Sequence, residues 1–461
     1  MTAESAAPRP RLFTLAWPLF SELLLGLAVG LVGLALAAKM SPAAAGAFAL
    51  ANSIQTTFFL LLRVVSLGVS VTITQELGAG NRARADATAR AALGASTWVG
   101  LATTVGVAGF AHKLLVVMGA PADVLPLSLP YLRVLALALG FDAFNASMAA
   151  VMRAHLRPRD VLINILSMHA VHLALSWPLM RGVGPVPALG LPGFALAMLA
   201  SRLFGVGFFL YLWRRRLALA PRARDWWTLH PERLAPVLHI GVPGAAEGIA
   251  YRIALMCTLA LVARMGTSAL ATQAYALQLT YFIVLPGVSI GLATEILVGR
   301  LTGAGRLRDA DREAAHSLRV GLGVATSAAL FAATTSRWTL RLFTTDAAMI
   351  ATAQSLLWVT VFLEPGRTLN LVVINALRAT GDARFPVAAG VLSMAFVMAG
   401  GAWLLGVHLG LGLVGVWIAY AADEWVRGLI MVARWRGRGW TRHARASQRR
   451  VRADRTAPRE T

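Results

Sequence analysis

A chain of 461 residues with 57% hydrophobic and 14% charged side chains has far fewer charges than soluble domains, which carry about 25%. This composition excludes an ordinary soluble protein and predicts an integral membrane protein, because the hydrocarbon core tolerates few charges. The net charge of +22 does not indicate nucleic-acid binding, since the arginines collect in loops and in the tail after Trp435. The single cysteine, Cys257, excludes an intramolecular disulfide and a cysteine-based metal cluster.

Twelve apolar segments are long enough to cross a bilayer, which takes about 20 residues of helix. The first six lie at roughly 12–38, 46–77, 87–110, 125–152, 160–182 and 187–213. The second six lie at roughly 235–263, 268–299, 313–336, 348–377, 385–408 and 411–434. We therefore predict an all-α integral membrane fold with twelve transmembrane helices. No cleaved signal peptide is expected, because the first apolar segment is too long for one.

A short glycine-rich stretch occurs twice, as Gly78-Ala79-Gly80 and as Gly303-Ala304-Gly305, and the two copies are 225 residues apart. The same offset relates pairs of less common residues: Pro18 and Pro243, Glu22 and Glu247, Asn145 and Asn370, Arg153 and Arg378, and Arg202 and Arg427. We infer two copies of one six-helix unit. An even number of helices gives both copies the same orientation, so the repeats are parallel.

The distribution of basic residues between the connections predicts the topology. With a cytoplasmic N-terminus, the inner segments before the tail carry 20 basic residues and the outer connections carry 6. This asymmetry satisfies the positive-inside rule and predicts a multi-pass membrane protein with both termini in the cytoplasm. The predicted parts are a cytoplasmic N-terminus (1–11), an N-lobe (12–213), a cytoplasmic linker (214–234), a C-lobe (235–434) and a basic disordered cytoplasmic tail (435–461). The linker carries Trp226-Trp227 beside arginines, which suits a segment at the membrane surface.

Two glutamates inside the helices are the first candidates for chemistry, because an intramembrane charge is costly unless it is paired or hydrated. Glu22 and Glu247 each follow a helix proline, Pro18 or Pro243, by about one turn. A carboxylate beside a bendable turn can bind a proton or Na⁺ and favour one of two helix shapes. The alternative is that each glutamate only neutralises a neighbouring arginine.

Further intramembrane charges follow in the second half. Glu364 has Arg367 three residues later, so both lie on one helix face, and an ion pair and a functional acid are about equally well supported. Asp423 and Glu424 precede Arg427 by four and three residues, which favours a structural cluster.

Three more polar residues lie in apolar surroundings. Glu295 is another acid within an apolar segment. Asp142 has no oppositely charged partner nearby in sequence and can line a cavity. Arg63 lies near the middle of the second segment, where it can face a water-filled centre or pair with Glu22. No phosphate-binding loop is present, since Gly303-Ala304-Gly305 is too short and lacks the lysine, so neither ATP coupling nor an ATP partner is expected.

The duplicated six-helix unit with its paired glycine turns resembles the multidrug and toxic compound extrusion (MATE) family. The supporting stretches are Ala293-Thr294, Leu297-Val298-Gly299 and Leu377-Arg378-Ala379-Thr380-Gly381-Asp382-Ala383-Arg384-Phe385-Pro386, with a degenerate copy at Met152-Arg153-Ala154-His155-Leu156-Arg157-Pro158. The likeness spans about residues 12–434, and it implies a location in the plasma membrane, the bacterial inner membrane. It implies two six-helix lobes around a central cavity and a secondary active transporter that exports organic, cationic or amphipathic compounds in exchange for H⁺ or Na⁺.

The resemblance also implies residue roles. Glu247 is similar to an acid of the seventh helix of the family, which many members carry one turn later, where Tyr251 stands. The family's N-lobe acids are absent, since Gly33 and Ser176-Trp177-Pro178 occupy those places. Coupling candidates are therefore Glu247, Glu22 and Glu364, with a possible Na⁺ at Glu247 and no other metal site. Substrate-cavity candidates are Arg63, Asp142, Asn145, Tyr251, Glu295, Arg367 and Asn370.

The expected partners are small-molecule substrates and the lipid bilayer, without nucleic acid, and the expected state is a monomer. No cofactor is expected besides the coupling ion, H⁺ or Na⁺. The alternative function is a related flippase for lipid-linked saccharides, which would suit a cationic cavity with Arg63 and Arg252. An enzyme is not expected, because no nucleophile, base or metal set is clustered in the sequence.

Overall fold

A computed structural model describes residues 11–183 and 187–453 of the chain, with side chains up to residue 451. The first seven helices are α1 (Leu12–Ala38), α2 (Pro42–Gly78), α3 (Arg82–Gly109), α4 (Ala111–Val117), α5 (Leu125–Ala154), α6 (Pro158–Arg181) and α7 (Leu191–Leu212). The next seven are α8 (Pro231–Ala263), α9 (Thr267–Gly303), α10 (Leu307–Leu340), α11 (Ala347–Ala379), α12 (Arg384–Ser393), α13 (Gly412–Arg436) and α14 (Trp440–Ala453). A π-helical stretch, Trp213–Leu217, extends α7, and two more, Met394–Gly400 and Ala402–His408, extend α12.

The twelve predicted segments all coincide with helices, which confirms the all-α membrane fold. Eleven helical spans within the described residues are long and apolar enough to cross a membrane. The twelfth predicted segment is α13, a helix of 25 residues that carries Asp423, Glu424 and Arg427. These three charges lower its apolar content, and their arrangement is described below.

The chain divides into two compact units. The N-unit consists of Ser21–Leu77 and Asn81–Ala245, and the C-unit consists of the described residues of Met1–Phe20, Gly78–Gly80 and Ala246–Thr461. The boundary between the two units passes through the first helix of each repeat. It divides α1 between Phe20 and Ser21, and α8 between Ala245 and Ala246. The first turns of α1 thus belong to the C-unit, and the linker with the first half of α8 belongs to the N-unit, which differs from the predicted lobe limits of 12–213 and 235–434.

Small residues allow the close helix packing inside the N-unit. Gly68 of α2 lies against the carbonyl of Val237, and Gly241 of α8 lies against the carbonyl of Val64, at distances that leave no room for a Cβ atom. Small residues at helix interfaces let backbones approach closely where the solvent is lipid. The crossing of α2 with α8 is therefore fixed by glycine on both helices.

The repeated Gly-Ala-Gly stretches form turns. Gly80 after α2 and Gly305 after α9 have φ angles of 72° and 80°, a left-handed conformation that favours glycine. Asn81 then caps α3 by accepting a hydrogen bond from the Arg84 amide at 3.2 Å. Each stretch is thus a tight turn between consecutive helices.

The prediction of a disordered tail after residue 435 is wrong for the residues that the structure describes. Residues Trp440–Ala453 form α14, and its face of Trp440, Ala444 and Val451 is buried. The Trp440 ring stacks on Trp435 with centroids 4.4 Å apart, and Gln448 donates to the Thr302 carbonyl at 2.9 Å. The predicted cytoplasmic N-terminus, apart from residue 11, and the tail residues 454–461 lie outside the described residues.

Candidate functional site

The close approach of α11 and α13 in the C-unit creates the most highly charged buried site of the described chain. Gly366 of α11 faces Trp425 of α13, and a Cβ atom at Gly366 would lie 2.8 Å from the Trp425 ring. Gly428 of α13 faces the Gly366 carbonyl, at 2.6 Å from the corresponding Cβ position. Because neither glycine has a side chain, the charged residues beside them meet across the two helices.

Five charged side chains form what we call the C-unit charge cluster: Glu364, Arg367, Asp423, Glu424 and Arg427. Arg367 donates through Nη1 to Glu364 Oε1 at 2.5 Å and through Nε to Glu424 Oε1 at 3.2 Å. Arg427 donates through Nη2 and Nε to Asp423 Oδ2 at 2.6 and 2.9 Å. Its Nη2 also lies 3.1 Å from Glu424 Oε1, so Glu424 joins the two arginines.

Neutral side chains complete the cluster. Asn370 donates to Glu424 Oε2 at 3.2 Å, and the Ser393 hydroxyl donates to Asp423 Oδ1 at 2.6 Å. The Arg427 guanidinium lies 5.9 Å from the centre of the Tyr251 ring. All three carboxylates are buried. Hydrogen bonds from these donors offset part of the cost of removing the carboxylates from water.

A small cavity of about 20 Å³ borders the cluster, which is room for about one water molecule. Its wall includes Arg367, Asp423 and Glu424 together with Tyr251 and Trp417.

A chain of hydrogen bonds extends from the same cavity. The Tyr420 hydroxyl, also part of the wall, donates to Thr258 at 2.7 Å and accepts from Gln273 at 3.1 Å. Gln273 in turn accepts from the Trp417 indole at 2.6 Å. The polar groups around the cavity are thus linked and hydrogen-bonded over α8, α9 and α13.

The N-unit carries a related but neutral arrangement. Asp142 of α5 lies 2.7 Å from Arg202 Nε on α7, and Asn145 donates to the Arg202 carbonyl at 3.1 Å. By the 225-residue offset these positions correspond to Arg367, Arg427 and Asn370 of the C-unit charge cluster.

The counterparts of Asp142 and Arg202 are therefore both arginines, and Glu424 lies between them in the C-unit. One repeat has an acid where the other has a base, and the net charge of the two sites differs as a result.

The two glutamates beside the helix prolines each bind an arginine of the same unit. Arg153 of α5 donates to Glu22 in the N-unit, at 2.9 Å to Oε1 and 3.2 Å to Oε2. Arg378 of α11 donates to Glu247 in the C-unit. Both partners are related by the same offset, so the two ion pairs are copies of each other.

The remaining candidates, Arg63 and Glu295, lie on α2 and α9. Arg63 has an exposed side chain on α2, and Glu295 is buried on α9. No group of three or more His, Cys, Asp or Glu side chains in the described part of the chain is placed to hold a metal ion. Among the coupling and cavity candidates, the structure brings Glu364, Arg367, Asn370 and Tyr251 to one site and places Asp142 with Asn145 in another.

Sequence reasoning assigned Glu364–Arg367 and Asp423–Glu424–Arg427 to two separate pairings and did not connect them. The connecting signal is a glycine on each helix beside the charges, Gly366 and Gly428, which indicates close contact between helices. The role of Arg202 as the partner of Asp142 was missed as well.

Comparison with known proteins gives a consistent assignment. The family model MatE matches residues 18–177 and again 243–404, two matches that begin 225 residues apart. The chain is 32% identical to the uncharacterized transporter YisQ of Bacillus subtilis, over 93% of this chain and 94% of that protein. It is 30% identical to a probable multidrug resistance protein NorM of Bradyrhizobium diazoefficiens, over 92% of each.

A solved MATE structure in the bent conformation has a TM-score of 0.87 at 18% identity and covers 95% of this chain and 96% of that one. The two MatE matches start at Pro18 and Pro243, the prolines that the internal repeat pairs. They show that the repeat is the duplicated unit of a known family. The chain belongs to the MATE family of membrane transporters and is not an enzyme.

Proposed function

We propose that this transporter exports organic cations or amphipathic compounds in exchange for protons, and that the coupling proton binds in the C-unit charge cluster. The similarity to a probable multidrug resistance protein, NorM of Bradyrhizobium diazoefficiens, supports the substrate class. The observation that carries the coupling proposal is the charge balance of the cluster, in which three carboxylates face two guanidinium groups.

With all five groups ionised, the cluster has one net negative charge in a buried position. An uncompensated buried charge costs several kcal/mol even after relaxation. One proton or one monovalent cation neutralises the cluster. The corresponding N-unit site, with Asp142 paired to Arg202, is already neutral and has no such requirement. The C-unit therefore supplies the stronger reason to take up a cation.

The hydrogen bonds of the cluster favour a proton over Na⁺. Both oxygens of Asp423 and of Glu424, and Oε1 of Glu364, accept hydrogen bonds or salt bridges from groups of the described chain. Oε2 of Glu364 is the carboxylate oxygen that remains. A proton needs a single oxygen, whereas a metal cation needs several oxygens arranged around it.

Coupling further requires two states with different affinities for the proton. Transporters built from parallel repeats change access by moving one repeat against the other. When a proton neutralises the cluster, α11 and α13 can pack without an excess charge. Loss of the proton restores that charge and favours the second of the two conformational states. A shift of the population from one state to the other takes several kcal/mol of differential affinity, which a buried charge can supply.

The test is transport of a cationic dye by the purified protein in liposomes, with H⁺ and Na⁺ gradients imposed separately. A proton gradient alone should drive transport, and Glu364→Gln should strongly reduce that transport, because the amide cannot take up the coupling proton. Dye binding to the Glu364→Gln variant, measured by fluorescence anisotropy, should persist.

Transport driven by Na⁺ alone, or a Glu364→Gln variant that transports like the wild type, would refute this assignment. The next candidate would then be Glu247, with its possible Na⁺. Transfer of a lipid-linked saccharide in the absence of any dye transport would favour the flippase instead.

A further inference from the structure

The linker between α7 and α8, residues 213–230, is folded along one helix of the N-unit. At one point Arg82 Nη2 of α3 donates to the Leu217 carbonyl at 2.5 Å. Further along, Trp98 Nε1 of α3 donates to the Trp227 carbonyl at 3.0 Å. Because Arg82 and Trp98 are 16 residues apart, the linker follows α3 over roughly 24 Å of its length.

Gly94 of α3 fixes the contact between these two points. A Cβ atom at Gly94 would collide with the Thr228 carbonyl and lie 3.2 Å from the Asp225 carbonyl. The buried Asp225 side chain accepts the Arg222 amide at 2.8 Å and so orders the short 3-10 helix Ala223–Trp226. The linker is thus an ordered element of the N-unit.

The depth of the linker in the membrane follows from the charges and exposed side chains of α3. The charged residues of α3 end at Arg90, and the next one in the chain is Lys113. Trp98 and Val105 are 45% and 61% exposed on the surface of the unit, where a membrane helix contacts lipid. α3 continues from there to Gly109 without a further charge. Trp98 is the first aromatic residue of α3 after its last charge, and tryptophan prefers the boundary between hydrocarbon and headgroups, so we place that boundary near Trp98.

The arginines of the linker lie between Trp98 and the arginine-rich end of α3. Asp225 contacts α3 at Gly94, about 6 Å from Trp98 along the axis towards the arginine-rich end. Arg222 and Arg224 precede Asp225 by three residues and by one, and both have exposed side chains. Trp227, whose carbonyl binds Trp98, is 63% exposed. Two exposed arginine side chains thus lie beside an exposed aromatic ring, on the side of the arginine-rich end of α3.

We propose that this surface binds the headgroup of an anionic phospholipid, with the phosphate on Arg222 and Arg224 and the Trp227 ring against the glycerol and upper acyl region. Guanidinium groups bind phosphate oxygens in pairs of charge-assisted hydrogen bonds. The residues 214–230 contain five arginines and one aspartate, which gives the segment the charge that attracts anionic lipid. The surface is independent of the C-unit charge cluster, so its test does not depend on the coupling proposal.

The first test is native mass spectrometry of the detergent-purified protein with phosphatidylglycerol or with phosphatidylcholine. The wild type should retain phosphatidylglycerol in preference, and Arg222→Gln/Arg224→Gln should lower that retention about tenfold or more. The matched control is Arg442→Gln/Arg445→Gln, which removes the same charge from exposed positions of α14 and should leave retention unchanged. Equal retention by all three proteins, or equal loss in both double variants, would overturn the proposal.

A second measurement does not depend on the folding of the arginine variants. Phosphatidylglycerol brominated high on its acyl chains should quench tryptophan fluorescence in liposomes more strongly for the wild type than for Trp227→Phe. The Trp338→Phe variant, which removes another exposed tryptophan, is the control. Displacement of the bound lipid by millimolar inorganic phosphate would show that the site takes free phosphate, and it would overturn the lipid assignment, as would quenching that is the same for both variants.

Discussion

Arg153 on α5 donates through one nitrogen to both carboxylate oxygens of Glu22 on α1, across 131 residues of sequence. Its counterpart in the C-unit, Arg378 with Glu247, spans the same 131 residues. The division of α1 lies between Pro18 and Glu22, and that of α8 lies between Pro243 and Glu247. Glu22 and Glu247 lie in the part of α1 or α8 that follows this division. Each ion pair therefore links that part of the helix to another helix of the same unit.

We predict that Glu22→Gln and Glu247→Gln each lower the thermal stability of the detergent-purified protein by a similar amount. The side chains of both pairs are largely buried, so removal of one charge leaves an arginine without its partner and costs about 2 kcal/mol, less than for a fully buried pair. Thermal unfolding followed by tryptophan fluorescence should show a decrease of roughly 5 °C in both variants.

The exposed acid Glu232→Gln is the control for these variants and should leave the melting temperature unchanged. If Glu247→Gln abolished the response to a proton gradient while Glu22→Gln had no effect on it, the ion pairs would not be equivalent. Glu247 would then carry coupling as well as structure.

The membrane architecture could be predicted because hydrocarbon thickness and the cost of charge act on local sequence. The predicted segment 12–38 coincides with α1, and 348–377 lies within α11, Ala347–Ala379. The offset of 225 residues relates Glu22 to Glu247 and Arg153 to Arg378, so the sequence singles out all four residues of the two ion pairs. The offset does not show which glutamate contacts which arginine, because that contact depends on how α1 packs on α5 and α8 on α11.

The candidate site was less predictable because its contacts join distant segments. Arg367 and Glu424 are 57 residues apart, and their contact depends on the depth at which α11 and α13 cross. The folded α14 was not predicted because its apolar residues are few among the arginines. The helical spacing of Trp440, Ala444 and Val451, which are buried, is nevertheless visible in the sequence.

Gly366→Ala should destabilise the C-unit charge cluster through its backbone support. The added Cβ atom would lie 2.8 Å from the Trp425 ring and 2.9 Å from its amide nitrogen, so α11 and α13 must separate. Overpacking of this kind costs about 1–3 kcal/mol. We expect a lower melting temperature together with weaker proton-driven transport.

The matched control for Gly366→Ala is Gly323→Ala on α10, where nothing lies within 4 Å of the new atom. Alanine also has the higher helix propensity, so this control should be neutral or slightly stabilising. Equal stability and transport of the two variants would show that the close crossing of α11 and α13 does not support the site.

Arg427→Met should make stability depend on pH more strongly than it does in the wild type. The substitution leaves three carboxylates with Arg367 alone, so the cluster has two net negative charges when ionised. Breaking such a buried pair costs about 3–5 kcal/mol. Protonation of a carboxylate replaces the missing positive charge, so the difference in stability from the wild type should shrink as the pH falls.

Melting temperatures of the wild type and Arg427→Met at pH 8 and pH 5 measure this difference. Arg319→Met, at an exposed position of α10, should show no loss at either pH. A deficit of the Arg427→Met variant that is the same at both pH values would contradict the charge count on which the coupling proposal rests.

Trp440→Ala should release α14 from the C-unit. The Trp440 ring is 2% exposed, stacks on Trp435, and donates from its indole nitrogen to the Trp435 carbonyl at 3.0 Å. Loss of a buried tryptophan costs about 3–5 kcal/mol, which exceeds what the few other buried residues of α14 can offset. Trypsin should then cleave after Arg442 and Arg445 about tenfold faster or more, because proteolysis follows the population of the open helix.

Trp338→Ala on α10, where the ring is 65% exposed, should leave cleavage at the wild-type rate. A cleavage rate that is the same in both variants would mean that the contacts of Gln448 and Asp382 hold α14 without the tryptophan stack.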